Sequence, residues 1–200
     1  FTQISMTPKT IGAFTDFTRR TLLQSSIDIE AFVRDDIAKK IALELDRTAI
    51  YGTGSSNQPL GLTQTSGIGS QSLTGTGTFS EYIGMETDVA VANAEGNAMK
   101  YLINATTRGA LKSTEKTSTS TANFVFENNQ INGYQAITTN QLVNNDAIFG
   151  DFSQFIVGMW SGLDLTVDPF AGATAGTVRI IALQDIDYAV RQAGAFCFAT

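Results

Sequence analysis

Four aspartates near the end of the sequence, Asp164, Asp168, Asp185 and Asp187, form a group able to do acid–base chemistry or hold a hard cation. No partner nucleophile or calcium-loop spacing accompanies them, so turn caps and surface charges are the expected roles. Gly52, Gly54 and Gly61 stand among serines and threonines as a phosphate cradle would. Such a cradle needs a strand, a glycine-rich turn, Lys-Ser/Thr and a helix in that order. Here the glycines follow a helical pattern and no Lys lies among them. Ser153 and Ser161 lack a G-x-S-x-G setting. There is no His and only one Cys, which removes His-based triads, His-ligated metals, an intrachain disulfide and Cys-cluster zinc. No catalytic, cofactor-binding or metal-binding residue is expected. Lys9 reads as a solvated charge, Trp160 as core, Cys197 as a small buried hydrophobe, and the sequon Asn104-Ala105-Thr106 as chance.

Composition narrows the field further. The chain has 200 residues, 13 basic and 19 acidic, for a net charge of −6. That argues against a dedicated nucleic-acid binder, which needs a basic face to release counterions. Hydrophobic residues make up 42%, enough for a core, but charged residues only 16%, against about 25% in an average domain. A weakly charged surface points to coverage by partners, including copies of itself. No apolar run approaches the ~20 residues of a membrane-spanning helix. The sequence starts at Phe1 with no basic region before an apolar run, so a processed or truncated piece without a signal peptide is expected.

The elements that position these residues read as α+β. Residues 1–20 alternate Thr with Ile, Ala and Phe, as one or two strands do. Residues 25–51 carry Ile29, Val33, Ile37, Ile41, Leu45 and Ala49 at helical spacing. Ser25 with Asp28 resembles a capping box, and Gly52 supplies the stop. Glu30–Arg34, Asp35–Lys39 and Asp36–Lys40 are acid-before-base pairs, each worth about 0.2–0.5 kcal/mol. Residues 53–80 read as a long Gly/Ser/Thr loop with a lobe boundary near its end. A second helix follows from Ser80 to about Asn97. Strands are expected at 101–104, 124–126, 133–140, 147–151, 155–165, 177–183 and 195–199, with a short helix at 106–112.

Three segments then resemble one family. LELDRTAIYGTGSSNQPLGL carries Asp46, Ile50, Gly52, Gly54, Pro59, Gly61 and Leu62 at the family's spacing. INGYQAITTNQL carries Gly133, Tyr134 and Asn140. The last fifty residues carry Gly150-Asp151-Phe152, Asp168-Pro169, Asp187 and Ala195-Phe196. In this order they are similar to the major capsid proteins of tailed bacteriophages, the Hong Kong 97 fold.

The resemblance implies a peripheral lobe, residues 1–81 with a spine helix at about 26–51, completed by returning strands at 164–200. It implies an axial lobe at 82–163. The family's N-terminal arm and most of its extended loop would be absent. Some members form a Lys–Asn cross-link; residues 177–191 hold no Asn, so none is expected. The implied function is a phage or prophage shell, self-assembling into pentamers and hexamers of an icosahedral head around double-stranded DNA, without specific DNA binding and without a membrane. Implied partners are copies of itself, a portal, and a scaffold or maturation protease; the implied location is the virion, and the host cytoplasm during assembly. Polar loops at 53–78 and 112–123 would absorb the differences between five-fold and six-fold surroundings. Arg19, Arg20 and Arg34 are candidate subunit contacts, with a solvated helix face as the plain alternative. An encapsulin-type compartment keeps the fold and changes the contents. A carboxylate-dependent hydrolase or a β-rich adhesin would need other features.

Overall fold

The computed structural model describes residues 3–18, 20, 29–117 and 123–200. Arg19 and the expected Ser25–Asp28 cap lie outside the described residues. The chain divides into two compact units, residues 1–60 with 157–188 and residues 61–156 with 189–200.

In unit 1 a 23-residue helix, α1 (Ile29–Tyr51), packs on an antiparallel sheet. At 1.5 Å per residue it is about 35 Å long. Strand β1 (Lys9–Thr18) pairs with the later 14-residue strand β10 (Thr177–Val190) without a slip, from Lys9 opposite Ile186 to Thr18 opposite Thr177. Ile11, Ala13 and Phe17 point inward from β1 to meet Ile180 and Ala182 of β10 and Val33, Ile37, Ile41 and Leu45 of α1. The four-residue spacing on the helix and two-residue spacing on the strands therefore face one another. On its other side β10 pairs with β8 (Phe155–Met159) and β9 (Asp164–Gly172).

Unit 2 is built on a seven-stranded mixed sheet, ordered β2-β11-β7-β3-β6-β5-β4. These strands are β2 (Gly69–Gln71), β3 (Met99–Ile103), β4 (Phe126–Glu127), β5 (Gln130–Ile131), β6 (Tyr134–Thr138), β7 (Ala147–Asp151) and β11 (Phe196–Ala199). The pairs β2/β11 and β3/β6 are parallel. Helix α2 (Phe79–Val91) packs on β2, β7 and β11 through Tyr82, Met85 and Val89, spaced as one helix face. Helix α3 (Ala105–Leu111) follows β3, with Asn104 as its cap: the Asn104 side chain accepts from the Thr106 amide at 2.8 Å. Asn104 is buried in that role. Two-residue turns at Asn128-Asn129 and Asn132-Gly133, all with positive φ, join β4 to β5 and β5 to β6. This is the type I′ chemistry that Asn and Gly favour.

Several expectations are corrected. The second helix begins after Thr78, not Ser80, and ends at Val91. Glu81 fixes that start: its carboxylate accepts from the Thr78 amide at 2.7 Å and the Thr74 hydroxyl at 2.8 Å. The expected loop at 53–80 contains buried Leu62 and strand β2. The strand expected at 124–126 begins only at Phe126. The strand expected at 155–165 stops at Met159, and β9 is an additional strand. The strand expected at 177–183 runs on to Val190. The compact units divide at 60/61, 156/157 and 188/189. Residues 189–200 join unit 2 because β11 is hydrogen-bonded between β7 and β2. Trp160 is 48% exposed, not core.

Glu81 gives a test of local stability. The Thr78 amide holds its carboxyl below the usual range. A lowered folded value stabilises the protein above the ordinary carboxylate range and is lost as pH falls through the lowered value. Glu81→Ala should cost about 0.5–1 kcal/mol at neutral pH, the value of a partly solvated charged hydrogen bond. Thermal melts should show that difference shrinking as pH falls through and below the ordinary carboxylate range.

Candidate assembly surfaces

The first motif closes the end of α1. The Thr48 hydroxyl donates to the Glu44 carbonyl at 2.9 Å, and the Tyr188 hydroxyl donates to the Leu45 carbonyl at 2.9 Å. The Gly52 amide then donates to Thr48, ending the helix. The chain doubles back at once. Thr53 bridges Leu60, and the Gly54 amide donates to Pro59 at 3.2 Å. Gly54 has φ +69°, and a Cβ there would stand 2.9 Å from Leu60 Cδ1, so this turn favours glycine. The Gln58 side-chain oxygen accepts from the Thr53 hydroxyl at 2.9 Å. Pro59, Gly52 and Gly61 are buried, while Asp46 is exposed on the helix.

Between this turn, α1 and the start of β1 lies an open cavity of about 430 Å³, lined by residues including Lys9, Thr10, Glu44, Thr48, Ser55 and Gln58. Its walls offer hydroxyl, amide and paired charged groups. Glu44 is bound by Arg47, whose guanidinium lowers the carboxyl from its usual value. Among the described residues no three His, Cys, Asp or Glu side chains converge to hold a metal.

The outer face of the unit 1 sheet carries a second constellation. The Arg179 guanidinium donates to both oxygens of Asp16, each at 2.7 Å, and lies 4.4 Å from the Phe14 ring centre. This hydrogen bonding lowers the Asp16 carboxyl from its usual value. Register places Asp168 opposite Arg179 on β9 and Leu183 opposite Gly12 on β1. Phe14 is 65% and Phe170 84% exposed. Sequence reasoning missed Asp16, Phe14 and Arg179; the signal was the strict alternation of β1, whose outward set is Thr10, Gly12, Phe14, Asp16 and Thr18.

The motif residues do not meet in one site. Gly133 sits in the β5–β6 turn, Asn140 is exposed, and Tyr134 joins an aromatic cluster with Tyr101 and Phe149. The Asp168 carboxylate caps the amides of Phe170 and Ala171 at 2.8 and 3.2 Å, beside exposed Pro169. Phe196 is buried against Phe152. Arg20 and Arg34 are exposed. Asp187 and Lys9 depart from their expected surface roles: Asp187 is 6% exposed, with Lys9 Nζ at 3.6 Å. Each motif residue whose contacts are visible closes its own turn, cap or core contact.

Cys197 is fully buried, and burial, with Asp88 nearby, pushes its thiol up to about 12. It stays a neutral thiol at neutral pH. A thiol reagent at pH 8 should leave the folded chain unlabelled and label it fully in denaturant, as intact mass will report.

A long helix on an antiparallel sheet, followed by a mixed-sheet unit, is what the resemblance to Hong Kong 97-type capsid proteins implies, and solved capsid structures match it. The chain matches a capsid of a native GTA particle with a TM-score of 0.76 at 20% identity, covering 96% of this chain and 72% of that one. It matches a chain of Microbacterium phage Oxtober96 with a TM-score of 0.78 at 14% identity, covering 96% and 72%. A major capsid protein of Halomonas phage phiHAP-1 is 36% identical over 199 residues, which is all of this chain and 33% of that protein. The chain thus spans about a third of the length of that relative. The family model for the phage capsid family matches residues 1–200, and the chain belongs to that family.

Proposed function

We propose that this chain forms the wall of a phage or prophage head by assembling with copies of itself into pentamers and hexamers around double-stranded DNA. The carrying observation is the family match over the full 200 residues. In this reading unit 1, with α1 and its sheet, is the peripheral lobe, and unit 2 is the axial lobe. The virion is its place, and a portal and a scaffold or maturation protease complete the system.

The surface supports a building role. Phe14, Phe32, Val91, Val143 and Phe170 are each at least 60% exposed, on a chain in which only 16% of residues are charged. Copies of the chain would cover such side chains. Contacts burying roughly 1,200–2,000 Å² each suffice when every subunit repeats several of them. A net charge of −6 suits a container that does not grip phosphates. Arg34 and the acids of α1 are candidate partners across a subunit boundary.

The test is fractionation of particles from cells in which the source phage or prophage replicates. The chain is expected to dominate a particle fraction whose DNA resists nuclease until the shell is broken. Particles filled with a protein cargo and free of DNA would favour the encapsulin reading. A chain confined to the supernatant would overturn both.

A further inference from the structure

Residues 3–8 approach β1 outside any helix or strand, and most of them are exposed. A segment with so little buried area needs specific ties to keep one path. The Thr7 amide donates to Asp187 Oδ2 at 2.9 Å. Lys9 Nζ stands 3.6 Å from Asp187 Oδ1, and the Tyr188 amide donates to that oxygen at 3.0 Å. One nearly buried carboxylate therefore gathers three groups: the Thr7 amide on the approaching chain, Lys9 at the start of β1 and the Tyr188 amide on β10. A buried charge keeps its place only with such partners. A second contact lies at Gly158. A Cβ built there would stand 3.3 Å from Met6 Cε and 3.2 Å from Trp160 Cζ3, so Met6 and the indole both close on bare backbone.

We propose that Asp187 is a positioning residue that clips residues 3–8 as a strap to the end of β10. The strap has two positions. Clipped, Met6 lies over Gly158 beside the Trp160 ring. Released, residues 3–8 swing free while β1 keeps its ten-residue register with β10, because that pairing begins only at Lys9 opposite Ile186. The clip thus fixes the path of residues 3–8 along unit 1. This inference rests on contacts within unit 1 and holds whether or not the chain builds a shell.

Trp160, the only Trp in the sequence, reports the strap directly. In the 200-residue chain, Asp187→Asn should raise hydrogen exchange at the Thr7 amide at least tenfold while α1 and β7 keep their protection. Trp160 emission should shift to the red as Met6 leaves. Gly158→Ala should shift the emission with the Thr7 amide still protected. Unchanged Thr7 exchange in Asp187→Asn, or exchange rising equally in α1, would overturn the proposal. If Asp187→Asn fails to fold, Thr7→Pro, which removes the bonded amide, is read by Trp160 emission, and an unshifted emission there overturns the proposal.

Discussion

Phe149→Ala is expected to cost about 3–5 kcal/mol, the range for emptying a large aromatic from a packed core. Phe149 is fully buried on β7, a strand buried at every position. Its ring centre lies 4.4 Å from that of Tyr101 and 5.2 Å from that of Tyr134. Tyr101 in turn meets Tyr82 of α2 edge-on at 5.7 Å. The Tyr101 hydroxyl donates to Glu86 at 2.6 Å, and Asn132 donates to the same carboxylate at 2.6 Å. The cavity would thus open beneath the network that ties β3 and the β5–β6 turn to α2. Tyr101 and Tyr82 are held by hydrogen bonds from their hydroxyls, which limits inward collapse to fill the space. Urea denaturation followed by far-ultraviolet circular dichroism should show a large fall in midpoint. A loss near 1 kcal/mol would mean that the cluster is loosely packed.

Gly150→Ala is expected to be nearly as damaging, at about 3 kcal/mol, the upper part of the range for overpacking. A Cβ at Gly150 would lie 2.4 Å from the Ala195 carbonyl oxygen and 2.9 Å from Phe196 Cα. Both are backbone atoms, so no side-chain rotation relieves the collision, and β11 must draw away from β7. Gly109→Ala is the control. Gly109 lies inside α3, and a Cβ there meets nothing within 4 Å. That change should stabilise by about 0.5–1 kcal/mol through helix propensity alone. The same chemical substitution should therefore move the melting temperature in opposite directions at the two positions. Equal effects would contradict the close approach at Gly150.

Local pattern made part of this fold readable. The four-residue spacing from Val33 to Leu45 and the alternation from Lys9 to Thr18 each report one buried face, and both elements form. What escaped depends on contacts distant in sequence. Strand β9 was hidden because Asp168 and Pro169 read as turn residues, yet β10 pairs Asp168 opposite Arg179 and the register shifts past Pro169 to Gly172. The second half of β10 was hidden because Gln184, Asp185 and Asp187 interrupt its apolar run. Gln184 is buried and donates to Met159 Sδ at 3.6 Å, and Asp187 is held by the strap. Polar groups with partners are tolerated inside, and those partners are not visible in a one-dimensional pattern. The same holds for the division into units, which follows from β11 lying between β7 and β2.

The candidate surfaces were legible only in part. Gly54 and Pro59 announced a tight turn, and the positive φ of Gly54 shows why glycine is favoured there. Arg179 and Asp16 are 163 residues apart, and only the register of β1 on β10 brings them together beneath Phe14. Asp168 was expected to cap a turn; it caps two amides, but from within β9. Lys9 and Asp187 were each read alone, so their pairing was missed.

The central claim is that this chain works by the shape it presents to its own copies. Symmetry-resolved electron cryomicroscopy of particles assembled from the intact protein tests it most directly. The account predicts a closed icosahedral wall in which density for both units, including α1, repeats around five-fold and six-fold axes. A protein that stays monomeric under every assembly condition, or a wall into which these units cannot be fitted, would contradict it.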